Sequence, residues 1–77
     1  MTNTRVQTDR IALTVNGRTR AMPAGCSIAD LLRDLAIDPR MVVVEHNREI
    51  IRDRDSLAAR ALAEADTVEI VHFVGGG

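Results

Sequence analysis

Aromatic residues and cysteine are scarce in this 77-residue chain, and lysine is missing altogether. Tryptophan and tyrosine do not occur, Phe73 is the single aromatic residue, and the formal net charge is -1. Nucleic-acid binding needs a surplus of basic residues to neutralise phosphates, or aromatic side chains on which bases stack. This composition therefore argues against a nucleic-acid partner. All 10 basic residues are arginines, which we interpret as compositional bias.

The single cysteine, Cys26, excludes a disulfide within the chain and fits a reducing compartment. No apolar run approaches the length of a membrane span or of a signal-sequence core. We therefore expect a cytoplasmic protein without membrane contact. A chain this short buries only about 60% of its unfolded surface in one modest core, which leaves little room for an elaborate active-site cleft.

The first structured segment is predicted to be a β-hairpin. Residues 1–10 are polar and lack periodicity, so we expect a disordered lead-in. Ile11, Leu13 and Val15 alternate with less apolar residues, as in a half-buried strand. Asn16 and Gly17 then favour a type I′ turn, which needs positive φ at both central residues. The returning strand covers residues 18–22, and residues 23–25 end it.

An amphipathic helix is predicted to follow the hairpin. Ser27 is a suitable N-cap residue, and Asp30 stands three residues later, at the spacing of a capping box. The helix ends before Pro39, because the residue preceding a proline avoids the helical conformation. About three turns are expected, with one apolar stripe at i, i+3, i+4 and i+7 formed by Ile28, Leu31, Leu32 and Leu35.

Three further strands are predicted in the second half of the chain. Residues 41–44 form a β-branched run typical of a buried central strand, and residues 45–48 form a tight connection in which Asn47 is left-handed. Residues 49–51 form a short strand, residues 52–55 a solvated turn, and residues 57–65 contain a short helical turn with Leu57 and Leu62 inward. Residues 67–73 form the last strand.

This order predicts an α+β fold, written ββαββ, with one main helix packed on one face of a mixed sheet. On the last strand Val71 and Phe73 lie opposite the helix and form an exposed apolar patch. On so small a protein such a patch indicates either a partner surface or a simple covering of the outer side of the sheet.

The sequence ends in Gly75, Gly76 and Gly77, directly after an apolar strand. Glycines without Cβ atoms can lie extended in a slot too narrow for other residues, and we expect this tail to be flexible. A terminal α-carboxyl group titrates near pH ~3.5 and is ionised at neutral pH, so it can act as a nucleophile. The glycines alone therefore indicate either a C-terminus that enters a partner enzyme and is chemically activated there, or a frayed tail without function.

No catalytic or metal-binding constellation is apparent within the chain. Cys26 precedes a helix N-terminus, where main-chain N–H groups can lower the pKa of a thiol, so it is a weak candidate nucleophile or redox sensor. His46 and His72 have no companion ligands at metal-binding spacing. The carboxylates are scattered among arginines, without an isolated pair for acid–base catalysis. We therefore do not expect an enzyme.

Four segments resemble the ThiS family, the small ubiquitin-like β-grasp sulfur carriers of thiamin (thiazole) biosynthesis. The two later segments are the more specific, and the resemblance covers about residues 11–77. The matching segments are residues 15–17 (VNG), 27–32 (SIADLL), 42–51 (VVVEHNREII) and 68–77 (VEIVHFVGGG). The implied domain organisation is a lead-in at 1–10, one β-grasp domain at 11–74 and a glycine tail at 75–77.

The resemblance implies that Gly77 is the working residue and that partner proteins supply the catalysis. An adenylating, ubiquitin-activating-like enzyme would activate the Gly77 carboxylate with ATP and Mg²⁺, and this chain would bind no cofactor or metal itself. Sulfur drawn from cysteine by a desulfurase would convert the adenylate to a thiocarboxylate, and thiazole synthase would consume it. Gly75 and Gly76 would enter the partner active sites, and partner docking would use Val71, Phe73 and Val74.

One departure from the family concerns the turn before the last strand, where Ala65-Asp66 replaces the usual Gly-Asp. Cys26 and the first ten residues are not family features either. Three alternatives stay open: the small sulfur-carrying subunit of molybdopterin synthase, a β-grasp interaction module that never uses its terminus, and a modifier conjugated to other proteins. The absence of proline just before the terminal glycines argues against the first of these.

Overall fold

The computed structural model describes residues 9–73. The lead-in at 1–8, Val74 and the glycine tail lie outside the described residues, so the disorder, the flexibility and the domain boundaries expected there stay predictions. The described chain contains five strands and one α-helix. These are β1 (Arg10–Val15), β2 (Arg18–Pro23), α1 (Ile28–Asp34), β3 (Val42–His46), β4 (Glu49–Ile51) and β5 (Thr67–His72), with short 3-10 turns at Pro39–Met41 and Arg54–Ser56.

The strands form one mixed sheet in the order β2-β1-β5-β3-β4. β1 pairs in parallel with β5, and all other neighbouring strands are antiparallel. The predicted α+β class, the mixed sheet and the sequence of hairpin, helix, two strands and final strand are confirmed. The shorthand ββαββ is one strand short, because the structure runs ββαβββ.

The helix lies on one face of this sheet, and the core fills the space between them. On β5 the inward residues Val68 and Ile70 are buried, whereas Glu69 and Val71, which alternate with them, are exposed. The remaining core side chains come from α1 and the connection before it, from the inward positions of the other strands and from the loop after β4. They are Leu13, Val15, Met22, Cys26, Ile28, Leu31, Leu32, Val42, Val44, Ile51, Leu57 and Leu62.

The first hairpin forms as its sequence predicts. Asn16 and Gly17 have φ values of 49° and 82°, so both occupy the left-handed region that a type I′ turn requires. β1 begins at Arg10, one residue earlier than expected, and the Asp9 carbonyl accepts a hydrogen bond from the N–H of Ala24. Asn47 also has a φ of 49°, and Arg48 follows at 72°, so the β3–β4 connection is a second two-residue turn.

The helix begins with the predicted capping box. The Ser27 hydroxyl accepts a hydrogen bond from the Asp30 N–H at 3.1 Å, and the Asp30 carboxylate accepts one from the Ser27 N–H at 2.9 Å. The bond from the Ser27 main chain, followed by those from Arg33 and the Ser27 side chain, lowers the pKa of Asp30. A carboxylate in the first turn also suits the helix dipole.

The helix is shorter than the predicted three turns, since it spans only 7 residues. Ala36 adopts a left-handed φ of 59° and ends it. The N–H of Ala36 bonds to the Arg33 carbonyl and the N–H of Ile37 to the Leu32 carbonyl, which is the hydrogen-bond pattern of a Schellman motif. Leu35 is consequently half-buried at the C-cap rather than a full member of the apolar stripe.

The prediction that residues 41–44 form a buried central strand is confirmed for Val42 and Val44 and wrong for Met41 and Val43. Val42 and Val44 are 3% exposed, but Val43 and Met41 are 37% and 53% exposed, because the second face of the sheet has no covering layer in the described structure. Leu57 and Leu62 point inward as predicted. The helical turn expected within residues 57–65 instead begins earlier, as the 3-10 turn Arg54–Ser56.

Candidate functional site

The predicted working residue Gly77, the tail residues Gly75 and Gly76, and Val74 lie outside the described residues. The two other predicted docking residues, Val71 and Phe73, lie at the end of β5, where the described chain stops. The site that can be built from the structure is therefore the platform from which the C-terminal residues depart. It consists of the end of β5 and the side chains around it.

The end of β5 is fixed by contacts from two loops. The N–H of Phe73 donates to the Met41 carbonyl at 2.9 Å, which extends the β3–β5 pairing by one step beyond either strand. The Arg54 guanidinium lies 5.9 Å from the centre of the Phe73 ring, within the range of a cation–π contact. Arg54 Nε also donates to the Pro39 carbonyl at 3.0 Å. Arg54 thus joins the loop after β4, the segment before β3 and the aromatic ring.

An apolar patch covers the face of the sheet opposite the helix. Val43 lies directly opposite Val71 in the β3–β5 register. Ile50 on β4 lies opposite Glu45 of β3, on the same face of the sheet. Val71 is 60% exposed, which confirms the expected outward orientation. We call the exposed set Met41, Val43, Ile50, Val71 and Phe73 the outer-face patch. An exposed apolar patch rimmed by polar residues is typical of a protein-binding surface.

Two carboxylates adjoin the outer-face patch. Glu45 and Glu69 face each other across β3 and β5. Together with Arg48 they line, beside the apolar side chains, a shallow cavity of about 420 Å³. Like charges placed directly opposite on a sheet are unfavourable in the free protein. A partner with a basic residue at this point would relieve that repulsion.

The start of β5 is held by a polar cluster around Asp66. Its carboxylate lies 2.8 Å from Nε2 of His46 and accepts hydrogen bonds from the Asn47 amide at 3.0 Å and the Ala63 N–H at 2.9 Å. Partial burial acts to raise the pKa of Asp66, but the bonds from Asn47, His46 and Ala63 outweigh it and lower the pKa. Asn47 completes the cluster by accepting from the N–H of Thr67 at 2.8 Å.

A second clamp holds the middle of β5. The side chain of Asn16 accepts a hydrogen bond from the Ile70 N–H at 2.7 Å and donates to the Ile70 carbonyl at 3.2 Å. The sequence pattern predicts only a turn at Asn16 and does not indicate these contacts of Arg54 or Asp66. Apart from the Ala63–Asp66 bond, no local signal could reveal them, because the partners are 15 to 54 positions apart in the sequence.

The structure does not support Cys26 as a reactive thiol. Its side chain is only 6% exposed and belongs to the core. Burial, followed by the negative charge of Asp30, raises the pKa of Cys26, so the thiolate expected from the nearby helix N-terminus is disfavoured. Burial and the capping carboxylate together outweigh any effect of the helix end.

The two histidines are not brought together. His46 pairs with Val68 and contacts Asp66, whereas His72 pairs with Val42 at the other end of the β3–β5 ladder and is exposed. Within residues 9–73, no three histidine, cysteine or acidic side chains are grouped so that they could hold a metal ion. The same residues contain no helix long and apolar enough to cross a bilayer.

A five-stranded mixed sheet in the order 2-1-5-3-4, crossed on one face by a single helix, defines a ubiquitin-like β-grasp protein. The sequence model of the ThiS family matches residues 9–77, so the chain belongs to the ThiS family. The solved structure of the thiamine biosynthesis protein ThiS from Geobacter metallireducens is 31% identical. It superposes with a TM-score of 0.75 over 87% of this chain and 100% of that one.

Curated relatives fall into two groups by length. The sulfur carrier protein ThiS of Bacillus subtilis is 43% identical over 66% of this chain and 76% of its own length. Two proteins named thiazole synthase, from Paramagnetospirillum magneticum and Magnetococcus marinus, are 42% and 38% identical over 84% and 82% of this chain. The chain spans only 20% and 19% of the length of these two relatives.

Proposed function

We propose that this protein is a sulfur carrier of thiamin biosynthesis whose Gly77 carboxylate is converted to a thiocarboxylate. The observation that carries the proposal is the ThiS family match, which extends through residue 77 and therefore includes the terminal glycines. The platform at the end of β5 supports it, because an ordered strand with an apolar patch beside it can present the following residues to another protein.

The chemistry proposed for Gly77 has two displacement steps. In the first, a carboxylate oxygen attacks the α-phosphorus of ATP, pyrophosphate leaves, and an acyl-adenylate forms. In the second, sulfur at the oxidation level of sulfide attacks the acyl carbon, and AMP leaves with the original oxygen. The net change is one oxygen replaced by sulfur. Both steps would be catalysed by an adenylating partner that binds ATP and Mg²⁺. Sulfur drawn from cysteine by a desulfurase would arrive as a persulfide, and a thiol would supply the two electrons that release it at the level of sulfide, leaving a disulfide.

The role proposed for this chain is that of a co-substrate rather than an enzyme. The described residues offer no nucleophile with a lowered pKa, since Cys26 is buried and its pKa is raised. Gly75 and Gly76 would pass through narrow entrances of the partners because they lack side chains. Val71, Phe73 and Val74 would dock the domain, with Arg54 holding the Phe73 ring in position. We place this activity in the cytoplasm.

Thiazole synthase is the proposed consumer of the sulfur. Two relatives with that name contain a segment similar to this chain as about a fifth of their length. Where carrier-like and synthase parts share one polypeptide, their cooperation is favoured by a high effective concentration. A carrier on a separate chain would have to reproduce that contact by docking. The small subunit of molybdopterin synthase remains the alternative carrier role.

The experiment is an intact-mass measurement after incubation with ATP, Mg²⁺, a matching activating enzyme and a sulfur source. The expected result is a mass gain equal to sulfur replacing oxygen, located on Gly77 by fragmentation. The matched control carries one extra residue after Gly77 and should not react. An unchanged Gly77 with competent partners would contradict the proposal and favour an interaction module. Higher-mass adducts in cell extracts would instead indicate a modifier.

Consumption assays then separate the two carrier pathways. The thiocarboxylated protein is mixed with thiazole synthase or with the large subunit of molybdopterin synthase, and the loss of its sulfur is followed by mass. We expect thiazole synthase to restore the carboxylate at Gly77. Exclusive consumption in the pterin reaction would assign the protein to the alternative pathway.

A further inference from the structure

A groove on the helix side of the sheet opens beside the last turn of the first hairpin. It is a cavity of about 450 Å³, and its apolar wall is formed by side chains of β1, β5 and the segment after α1. We call it the hairpin groove, lined chiefly by Val15, Asn16, Arg18, Leu35, Ile37 and Ile70. Leu35 and Ile37 are half-buried against the core and keep apolar surface directed into this space.

The groove lies at an opening in the sheet, because β1 is shorter than β5 on this side. The two strands pair only at Thr14–Thr67 and Val15–Val68. Beyond that point, the side chain of Asn16 substitutes for a strand and bonds the N–H and carbonyl of Ile70. After Ile70, β5 has no neighbour on its β1 side within the described residues.

The main chain of His72 faces this opening. The N–H of Thr14 bonds to the Asp66 carbonyl and that of Asn16 to the Val68 carbonyl, so even-numbered residues of β5 point their main-chain groups towards β1. The Phe73 N–H bonds to Met41 and therefore points towards β3. By this alternation the N–H and carbonyl of His72 point into the opening, where no strand of residues 9–73 meets them.

The charged side chains that line the groove are both arginines, Arg18 and Arg20. Arg18 is exposed and forms no ion pair within residues 9–73, while its neighbour Arg20 is paired with Asp34 at the end of α1. A ligand segment that lies along the groove would therefore gain from an acidic residue next to an apolar one. An exposed strand edge with an adjacent apolar pocket is the arrangement used in recognition by strand addition.

We propose that an extended segment of the thiazole synthase partner adds to the sheet at this opening. Its main chain pairs with the N–H and carbonyl of His72, an apolar side chain seats against Leu35 and Ile37, and an acidic side chain meets Arg18. This inference rests on the proposed function. The location is favoured because β5 leads directly to the C-terminal residues, so a synthase segment held here lies beside the chain end that the synthase must receive.

The test removes one hydrogen-bond donor and leaves every side chain unchanged. The 77-residue protein is prepared by chemical ligation with the Val71–His72 amide replaced by an ester, which deletes the His72 N–H. The matched control has the Arg20–Ala21 amide replaced. Ala21 lies opposite Ala12 in the β1–β2 ladder, so its N–H points to the outer edge of β2. In both esters the carbonyl of the preceding residue, Val71 or Arg20, becomes a slightly weaker hydrogen-bond acceptor within its strand pair, so this side effect is the same in the test and the control.

The readout is the dissociation constant for thiazole synthase. We expect the His72 ester to bind about tenfold more weakly, as for the loss of one interfacial hydrogen bond, and the Ala21 ester to bind within about twofold of the unmodified protein. Wild-type affinity for the His72 ester, or equal losses for both esters, would overturn the proposal. If the His72 ester lost affinity only for the activating enzyme, the proposal would also be overturned, because the segment that binds at the opening would then belong to a different partner.

A charge-reversal pair gives a second, genetically encoded test. Arg18→Glu should weaken synthase binding several-fold, whereas Arg10→Glu, which makes the same charge change at the far end of β1, should not. Equal effects would indicate long-range attraction and contradict a contact in the groove. Failure of the proposed function is recognised separately, because the unmodified protein would then gain no sulfur in the intact-mass experiment.

Discussion

The side chain of Asn16 hydrogen-bonds both main-chain groups of Ile70, 54 positions later in the chain. The residue that forms the first turn therefore also holds the strand that leads to the C-terminus. Because Asn16 has a φ of 49°, it combines a left-handed turn conformation with an amide directed at β5. Asparagine is one of the few residues that adopts this conformation readily.

Replacement of Asn16 separates these two roles. Asn16→Gly keeps the turn and removes the clamp, and we expect a loss of about 1 kcal/mol in the free energy of unfolding. Asn16→Ala removes the clamp and also replaces asparagine by a residue that adopts the left-handed conformation less readily, so the loss should be about 2–3 kcal/mol. Urea titration of both variants checks this order. Equal losses would show that the turn conformation contributes nothing at this position.

The Asp66 cluster should make the free energy of unfolding depend on pH in the acid range. Hydrogen bonds lower the pKa of Asp66 in the folded state, whereas an unfolded aspartate titrates near ~3.9. The unfolded state therefore binds the proton more readily, so the stabilisation is complete above about pH 5 and is lost as the pH falls through the folded pKa. Asp66→Asn should cost about 1–2 kcal/mol near neutral pH and progressively less below about pH 4.

Unfolding curves recorded at several pH values compare Asp66→Asn with the wild type. Asp55→Asn is the matched control, because Asp55 is an exposed acid whose carboxylate accepts no hydrogen bond within residues 9–73. Its stability should follow that of the wild type across the acid range. A constant difference between wild type and Asp66→Asn at every pH would contradict the expected linkage.

Two alanines occupy conformations that favour glycine. Ala36 ends the helix with a φ of 59°. Ala65 lies in the turn before Asp66 and β5 and has a φ of 72°. Both are exposed. We expect Ala36→Gly and Ala65→Gly each to stabilise the protein by about 0.5–1 kcal/mol, since relief of the left-handed strain exceeds the added entropy of the unfolded chain.

The control for these glycines is Ala58→Gly, an exposed turn position where φ is not positive. That variant should lose about 0.5–1 kcal/mol because glycine only loosens the unfolded chain there. The thermal unfolding midpoints of the three variants, compared with that of the wild type, test this prediction. Destabilisation by all three glycines would show that the left-handed conformations carry no cost.

The outer-face patch should affect partner binding more than stability. Val71→Lys places a charge on a side chain that is 60% exposed, so the free energy of unfolding should change by about 0.5 kcal/mol or less. If Val71 is central to the proposed interface, affinity for the proposed activating partner should fall about tenfold or more. Ala21→Lys, on the same face but at the opposite edge strand, is the control and should bind normally.

Arg54 should position Phe73 rather than contact the reacting carboxylate. Arg54→Gln removes the cation–π contact and weakens the bond to Pro39. In the proposed adenylation reaction we therefore expect the activating partner to show a higher KM for this variant with little change in kcat. Arg54→Lys should have a KM between those of Arg54→Gln and the wild type, because a cation remains near the ring. A fall in kcat with constant KM would contradict the positioning role and place Arg54 closer to the chemistry.

Local sequence determined the features whose physical causes are local. The Asn16-Gly17 turn, the Ser27/Asp30 capping box and the alternation along β5 depend on residues only a few positions apart. The helix end was predicted too late, because Ala36 has no intrinsic preference for the left-handed conformation that stops α1. The exposure of Val43 was also missed, since a run of valines does not reveal whether a second layer covers the sheet.

The sequence by itself determined the family resemblance, the order of the elements and the choice of Gly77 as the proposed working residue. Only the tertiary structure decided what surrounds β5: the Asn16 clamp, the Asp66 cluster, Arg54 over Phe73, and the open edge at His72. The physical reason is separation along the chain. The contact of His46 with Asp66 and the bonds of Asn16 to Ile70 join residues 20 and 54 positions apart, and only the packed sheet brings them within hydrogen-bonding distance.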